Sequence, residues 1–177
     1  GHTVLSIANL NSLNGNYNAA LEKALKALVI FDSLHDREAL VTVYATLGSI
    51  NSNLDNPEKA LQYYDFALVI SRESKDYQNE CIISLNIGNV YSYLGDSKQA
   101  IIYFENALIA AQEIDFLQGL SNSFEKLHLE YEILNMPEEA FMYYKLFVTI
   151  RDSLMRKENV GALLKKNLEY KFEKERE

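Results

Sequence analysis

The chain has 177 residues, 25 acidic and 17 basic, for a formal charge of −8. That length buries about 70% of the unfolded surface in one domain, and the acidic balance argues against a nucleic-acid surface. Two prolines and seven glycines exclude a turn-dense β fold, and no apolar run approaches the ~20 residues of a membrane span. No charged n-region or cleavage site marks a signal peptide. The chain opens Gly1-His2 instead of with Met and reads as a piece of a longer protein, so those missing segments say little about the parent. Cys81 is the single cysteine, which rules out an internal disulfide and leaves the redox compartment open.

From "TVLSIANL" onward the chain is a 40-residue phrase written four times. "LDNPEKALQYYDFAL" at 54–68 returns as "LGDSKQAIIYFENAL" at 94–108. The same step aligns Ala20, Ala60, Ala100 and Ala140, and also Ala27, Ala67, Ala107 and Phe147. Ala24, Tyr64, Phe104 and Tyr144 form a largely aromatic column, and Ile7, Leu47, Ile87 and Leu127 an aliphatic one. Ala8, Gly48, Gly88 and His128 form a small-residue column with one exception, and both prolines, Pro57 and Pro137, share a column.

Each unit (1–40, 41–80, 81–120, 121–160) reads as two helices. The first, as in 79–94, places Ile83, Ile87, Val90, Tyr91 and Leu94 at helical spacing. A break follows ("NGNY", "DNPE", "GDSK", "NMPE") in which Asn56 and Asp96 are suited to N-capping. Proline fits the first helical position, where no N–H is needed. The second helix, as in 57–74, repeats the period, and Asp36, Asp76 and Asp115 offer caps to the next unit. Gly and Ala columns let crossing helices approach while the aromatic column fills the space beside them. A pair of helices cannot bury its apolar face alone, so the units stack as an all-α solenoid.

These columns resemble the tetratricopeptide repeat: Leu47-Gly48, Tyr91, then Ala60, Tyr64, Ala67 and their equivalents, over residues 1–160. The resemblance implies a right-handed α-solenoid of four helix-turn-helix repeats, each six residues longer than the usual unit. Those six add ~9 Å of helix per pair. The usual tryptophan column holds Val4, Tyr44, Ser84 and Phe124. His128 and Phe147 occupy small-residue positions, which should spread the fourth pair, and Ala24 in the aromatic column fits a unit whose upstream neighbour has been cut away.

The last stretch, 151–177, has no repeat partner and forms a C-terminal helix (161–177) with Leu154, Val160, Leu164, Leu168 and Phe172 on a drifting stripe. It reads as a cap packed at its start and projecting from about Glu169. "YYKLFVTIRDSLMRKEN…LLKKNLEYKFEKERE" is similar to the exit segment of repeat-containing sensor and regulator proteins of the Bacteroidetes type. That resemblance implies a location on the periplasmic side of a membrane-anchored parent, with a cytoplasmic location as the alternative. It also implies an output module and a membrane span beyond this fragment, and a homodimer through the C-terminal helix.

Chemistry is sparse. His2, His35 and His128 belong to no metal or catalytic motif, and there is no Gly-rich phosphate loop or cysteine cluster. "LHDRE" at 34–38 spans an inter-repeat turn, Glu138-Glu139 suit the positive end of a helix, and Cys81 reads as an inert thiol. No enzyme, metal or cofactor is expected. By the family resemblance the first helices line a concave wall, which places Asn9, Thr42, Thr46, Ser49, Asn53, Asn86, Asn89, Tyr93, Asn122, Lys126 and Leu129 on it. Asparagine both donates and accepts, so such a wall can hold a peptide backbone irrespective of sequence. Chaperone-binding members use lysines in the column held here by Leu5, Ala45, Leu85 and Glu125, which argues against capture of an acidic C-terminus. The expected partner is a protein or peptide bound in the groove, with the chain as a sensor's input module. A general assembly or chaperone-type adaptor is the alternative.

Overall fold

A computed structural model of the chain describes the backbone of residues 1–174 and the side chains of residues 1–156. Eight helices follow one another: α1 (His2–Leu13), α2 (Tyr17–Ser33), α3 (Arg37–Asn53), α4 (Pro57–Ser74), α5 (Tyr77–Tyr93), α6 (Ser97–Glu113), α7 (Leu117–Ile133) and α8 (Pro137–Lys174). The pairs α1/α2, α3/α4, α5/α6 and α7/α8 stack in sequence, and among the described residues no contact skips a whole pair. This is the all-α solenoid that the repeat requires.

The module is shorter than the 40-residue phrase. Positive φ recurs every 20 residues, at Gly15, His35, Asp55, Lys75, Gly95, Asp115 and Asn135. At each, the amide one residue on donates to a carbonyl five residues back: Asn16 to Asn11, Asp36 to Phe31, Asn56 to Asn51, Asp76 to Ser71, Asp96 to Tyr91, Phe116 to Ala111 and Met136 to Tyr131. This is the Schellman closure, in which a left-handed residue returns the chain onto the carbonyls that the helix end leaves open. The donating residue is also the N-cap of the next helix. Seventeen helical residues in α2, α3, α5, α6 and α7 and a three-residue turn make the period.

The caps correct the sequence reading at two places. Asp36, Asp76 and Asp96 accept from the backbone N–H of Ala39, Asn79 and Gln99 as expected. Asn56 occupies the N-cap of α4, but its side chain makes no capping bond, and Pro57 follows it. Asp115 does not cap α7; Phe116 is the N-cap and Asp115 is the left-handed residue before it. The column of Asp36 and Asp76 leads to 116, so the aspartate stands one position early for its carboxylate to reach the helix start.

Each core is shared by one pair and the first helix of the next. Ala20, Ala24, Ala27 and Phe31 of the first pair pack with Leu40, Val43, Leu47 and Ile50 of α3. Ala60, Tyr64 and Ala67 pack with Ile83, Ile87 and Val90 of α5, and Ala100, Phe104 and Ala107 with Leu127 of α7. The small column works as expected: Gly48 and Gly88 face the rings of Tyr64 and Phe104. In the fourth pair His128 fills that place, 5.1 Å from the ring of Tyr144, and its Nδ1–H donates to the Ala140 carbonyl at 3.1 Å. The helix α8 runs unbroken through the expected boundary at 161. The packing expected of Val160, Leu164, Leu168 and Phe172, and the projection from Glu169, lie outside the described side chains.

Candidate functional site

Among the described residues α1 touches α3, α3 touches α5 and α5 touches α7, whereas no second helix touches another second helix. The first helices are therefore the crowded, inner row and the second helices the outer one. A wall built this way is lined by whichever faces of α1, α3, α5 and α7 are not consumed by the shared cores.

That wall holds two clefts. The first, about 360 Å³, lies between α1, α3 and the start of α5 and is lined by Asn9, Ser12, Leu13, Thr42, Ala45, Thr46, Ser49 and Asn79. The second, about 320 Å³, lies between α5 and α7 and is lined by Ile82, Leu85, Asn86, Asn89, Asn122, Glu125 and Lys126. Eight of the expected wall residues meet in these clefts: Asn9, Thr42, Thr46 and Ser49 in one, Asn86, Asn89, Asn122 and Lys126 in the other. Asn53 and Tyr93 line neither. Asn53 turns its amide back to the carbonyl of Ser49 at 2.8 Å, and Tyr93 donates its hydroxyl to Asp55 at 2.9 Å. That bond to Asp55 and its negative charge hold the Tyr93 phenol above its ordinary range. Leu129 is exposed and outside both clefts.

The two clefts differ in what they leave free. In the first, Thr46 donates to Asn9 Oδ1 at 3.3 Å, so these side chains already answer one another across α1 and α3. In the second, Gln118 donates to Asn122 Oδ1 at 2.9 Å. Asn86 and Asn89 have no side-chain hydrogen-bond partner among the described residues, and Lys126 has no carboxylate within ion-pair distance there. The second cleft thus offers unspent amides and one cation above the apolar floor of Ile82 and Leu85.

Sequence reasoning missed the floor and the end walls. Leu85 and Leu5 are buried, so the column that holds lysines in chaperone-binding relatives is closed by leucine in the first and third pairs. Asn79, in the column of the small, buried Ala39 and Gly119, was not singled out in the sequence. Its side chain also donates to Asp76 at 2.7 Å, and the Asp-x-x-Asn spacing was the signal that could have marked it. Among the described residues no three His, Cys, Asp or Glu side chains gather as a metal site, and no helix is long and apolar enough to cross a membrane.

Residues 42–113, which form α3 to α6, match the sequence model of the tetratricopeptide repeat family. The two pairs outside that match repeat its columns and its turns. The matched residues are tetratricopeptide repeats, and the rest of the chain is similar to them. No curated protein matches the chain. Among solved structures, BtubC from P. vanneervenii is 23% identical with a TM-score of 0.78, covering 85% of this chain and 63% of that one. A signal transduction ATPase with numerous domains and a tetratricopeptide repeat sensor, from Pyrococcus horikoshii, is 23% identical with a TM-score of 0.75, covering 86% and 24%. A Rap protein complexed with competence and sporulation factor is 21% identical with a TM-score of 0.74, covering 83% and 41%. The chain spans less than two thirds of each of these proteins, and the likeness establishes the fold. A tetratricopeptide-repeat solenoid is a scaffold for protein interaction, generally without catalysis of its own.

Proposed function

We propose that this tetratricopeptide-repeat scaffold binds an extended peptide or an exposed protein segment along its inner wall, as the non-catalytic input module of a signalling or transcriptional regulator. The observation that carries the reading is the second cleft, where Asn86 and Asn89 stand without partners beside Asn122 and Lys126. An amide pair can hold the N–H and C=O of one peptide unit together, and Leu85 and Ile82 beneath give a ligand side chain an apolar seat. The Rap structure in complex with competence and sporulation factor, and the repeat sensor of the multidomain ATPase, favour the signalling role over a general adaptor. A periplasmic setting rests on the resemblance of the exit segment alone.

The test is a peptide array probed with the wild-type chain and with Asn86→Ala/Asn89→Ala. Loss of binding to the array, with an unchanged thermal melt, is the expected result. Binding that survives the double change places the site elsewhere.

A further inference from the structure

Away from the inner wall stand two tyrosine stacks, one repeat apart, that differ in charge. Tyr91 of α5 stacks on Tyr103 of α6 with centroids 5.5 Å apart and planes at 16°. Forty residues on, Tyr131 of α7 stacks on Tyr143 of α8 at 5.5 Å and 10°. Each stack packs against the core shared with the preceding pair, so both sit at internal junctions of the solenoid. None of the four rings lines either cleft.

The first stack has its charges balanced within the chain. Burial raises the Tyr103 phenol, with Asp65 and Tyr91 adding to the rise and Arg72 opposing it, so a carboxylate and a guanidinium of α4 both act on the ring. Arg72 is fixed there by donating its Nε–H to Glu80 at 2.8 Å. In the second stack the columns of Asp65, Arg72 and Glu80 hold Glu105, Gln112 and Leu120, and Glu139 stands in the column of Gln99. Burial raises the Tyr131 phenol with help from Glu105 and Glu139, and the Tyr143 phenol with help from Tyr131 and Glu105. No cation opposes either. Among the described residues neither Glu105 nor Glu139 is in an ion pair, and no Lys or Arg lies over Tyr131 or Tyr143. The second stack therefore has one carboxylate more and one guanidinium fewer than the first.

We propose that Tyr131, Tyr143, Glu105 and Glu139 form a docking site for an arginine side chain of a protein partner, in the place that Arg72 takes at the first stack. A guanidinium is planar, lies flat on an aromatic face and pairs with carboxylates while always staying charged. Gln112 is exposed and brings no charge to compete. A formal charge of −8 on the chain favours a basic partner. Because the site lies off the inner wall, it can be filled whether or not a segment occupies the clefts.

The test is an NMR titration of the chain, its tyrosine rings labelled, with N-acetyl-arginine amide at low salt. Ring signals of Tyr131 and Tyr143 should shift and saturate while those of Tyr91 and Tyr103 stay in place. Glu105→Gln should weaken binding several-fold. Gln112→Arg, at an exposed position and with an unchanged thermal melt, should abolish it. Arg72→Gln should open the first stack, so that Tyr91 and Tyr103 begin to respond. N-acetyl-lysine amide and tetramethylammonium should bind more weakly than the arginine probe. The proposal is overturned by a lack of saturable shifts at Tyr131 and Tyr143, by an equal response of both stacks in wild type, or by binding that Gln112→Arg leaves intact. A first stack that stays silent in Arg72→Gln removes the equivalence behind the assignment and also overturns it. Equal binding of the other two cations would make this a general cation site, and binding of free arginine alone an amino-acid site; either result rejects the proposal.

Discussion

The ring of Phe104 takes the space that a side chain on Gly88 would need: a β-carbon there would lie 2.4 Å from Phe104 Cε1. Gly88 sits inside α5, where alanine is worth about 1 kcal/mol more than glycine to an isolated helix. Overpacking a sealed core costs about 1–3 kcal/mol, and Phe104 is fully buried with no room to withdraw. The clash should win. Gly88→Ala is expected to lower the melting temperature by several degrees, with ~2–4 °C per kcal/mol for a chain of this size. Gly95→Ala tests a different cause, since nothing lies within 4 Å of it and its φ is +76°; the loss there should be about 1 kcal/mol of left-handed strain.

The caps give a paired comparison. Asp96 accepts from the Gln99 N–H at 3.1 Å, and its replacement by alanine should cost ~1 kcal/mol. Asn56 makes no such bond, so Asn56→Ala should cost clearly less. Chemical denaturation of the two variants, read as midpoint shifts at constant slope, checks the order; equal losses would contradict it.

Burial pushes the Tyr64 phenol up to about 12 against an ordinary 10.0. Between those values the unfolded chain releases a proton that the folded chain keeps, so stability falls as pH rises through that window and is unaffected below it. Two pH units correspond to at most ~2.7 kcal/mol. Tyr64→Phe keeps the ring that covers Gly48 and removes the titrating group. The variant should lose less stability than wild type between pH 10 and pH 12, measured by denaturation at each pH.

Cys81 is fully buried, and burial, helped by Glu80, raises its thiol to about 11. The reactive species is the thiolate, so a disulfide reagent at pH 8 should leave the native chain unmodified and label one thiol per chain only on unfolding. Rapid labelling of the folded chain would mean that α5 and α7 part readily, since Cys81 Sγ lies against Gly119 at their contact.

The fold was readable because its determinants are periodic. A column such as Ala20, Ala60, Ala100 and Ala140 repeats a packing constraint, and all four are buried. The turns were readable less finely. Glycine advertises Gly15 and Gly95, but His35 and Lys75 adopt the same left-handed state because the closure around them leaves no other path. Asp115 was misplaced for that reason: a turn residue and a cap are chemically alike and one position apart. At the wall, the family resemblance placed eleven side chains, and eight of them line the two clefts. What residue type does not carry is which polar groups have already been satisfied. Asn53 and Asn89 are the same residue on the same face, one bonded to its own helix and the other without a partner.

That no contact skips a pair among the described residues has a consequence for how such a chain can change over time. Excising residues 41–80 would join Leu40 to Cys81 within one helix, in the same phase, because every left-handed turn recurs at a fixed interval. Ala20 and Ala100 would then be forty residues apart, and α5 would meet the groove that α3 now fills with a side-chain pattern of the same kind. Duplicating the segment works equally well. A single inserted residue, by contrast, rotates everything after it within that helix by about 100° and turns Ile87 or Leu47 away from its core. Selection on this architecture therefore acts in whole modules: reach along the axis is free to drift by gene duplication and loss, while spacing inside a helix is held fixed.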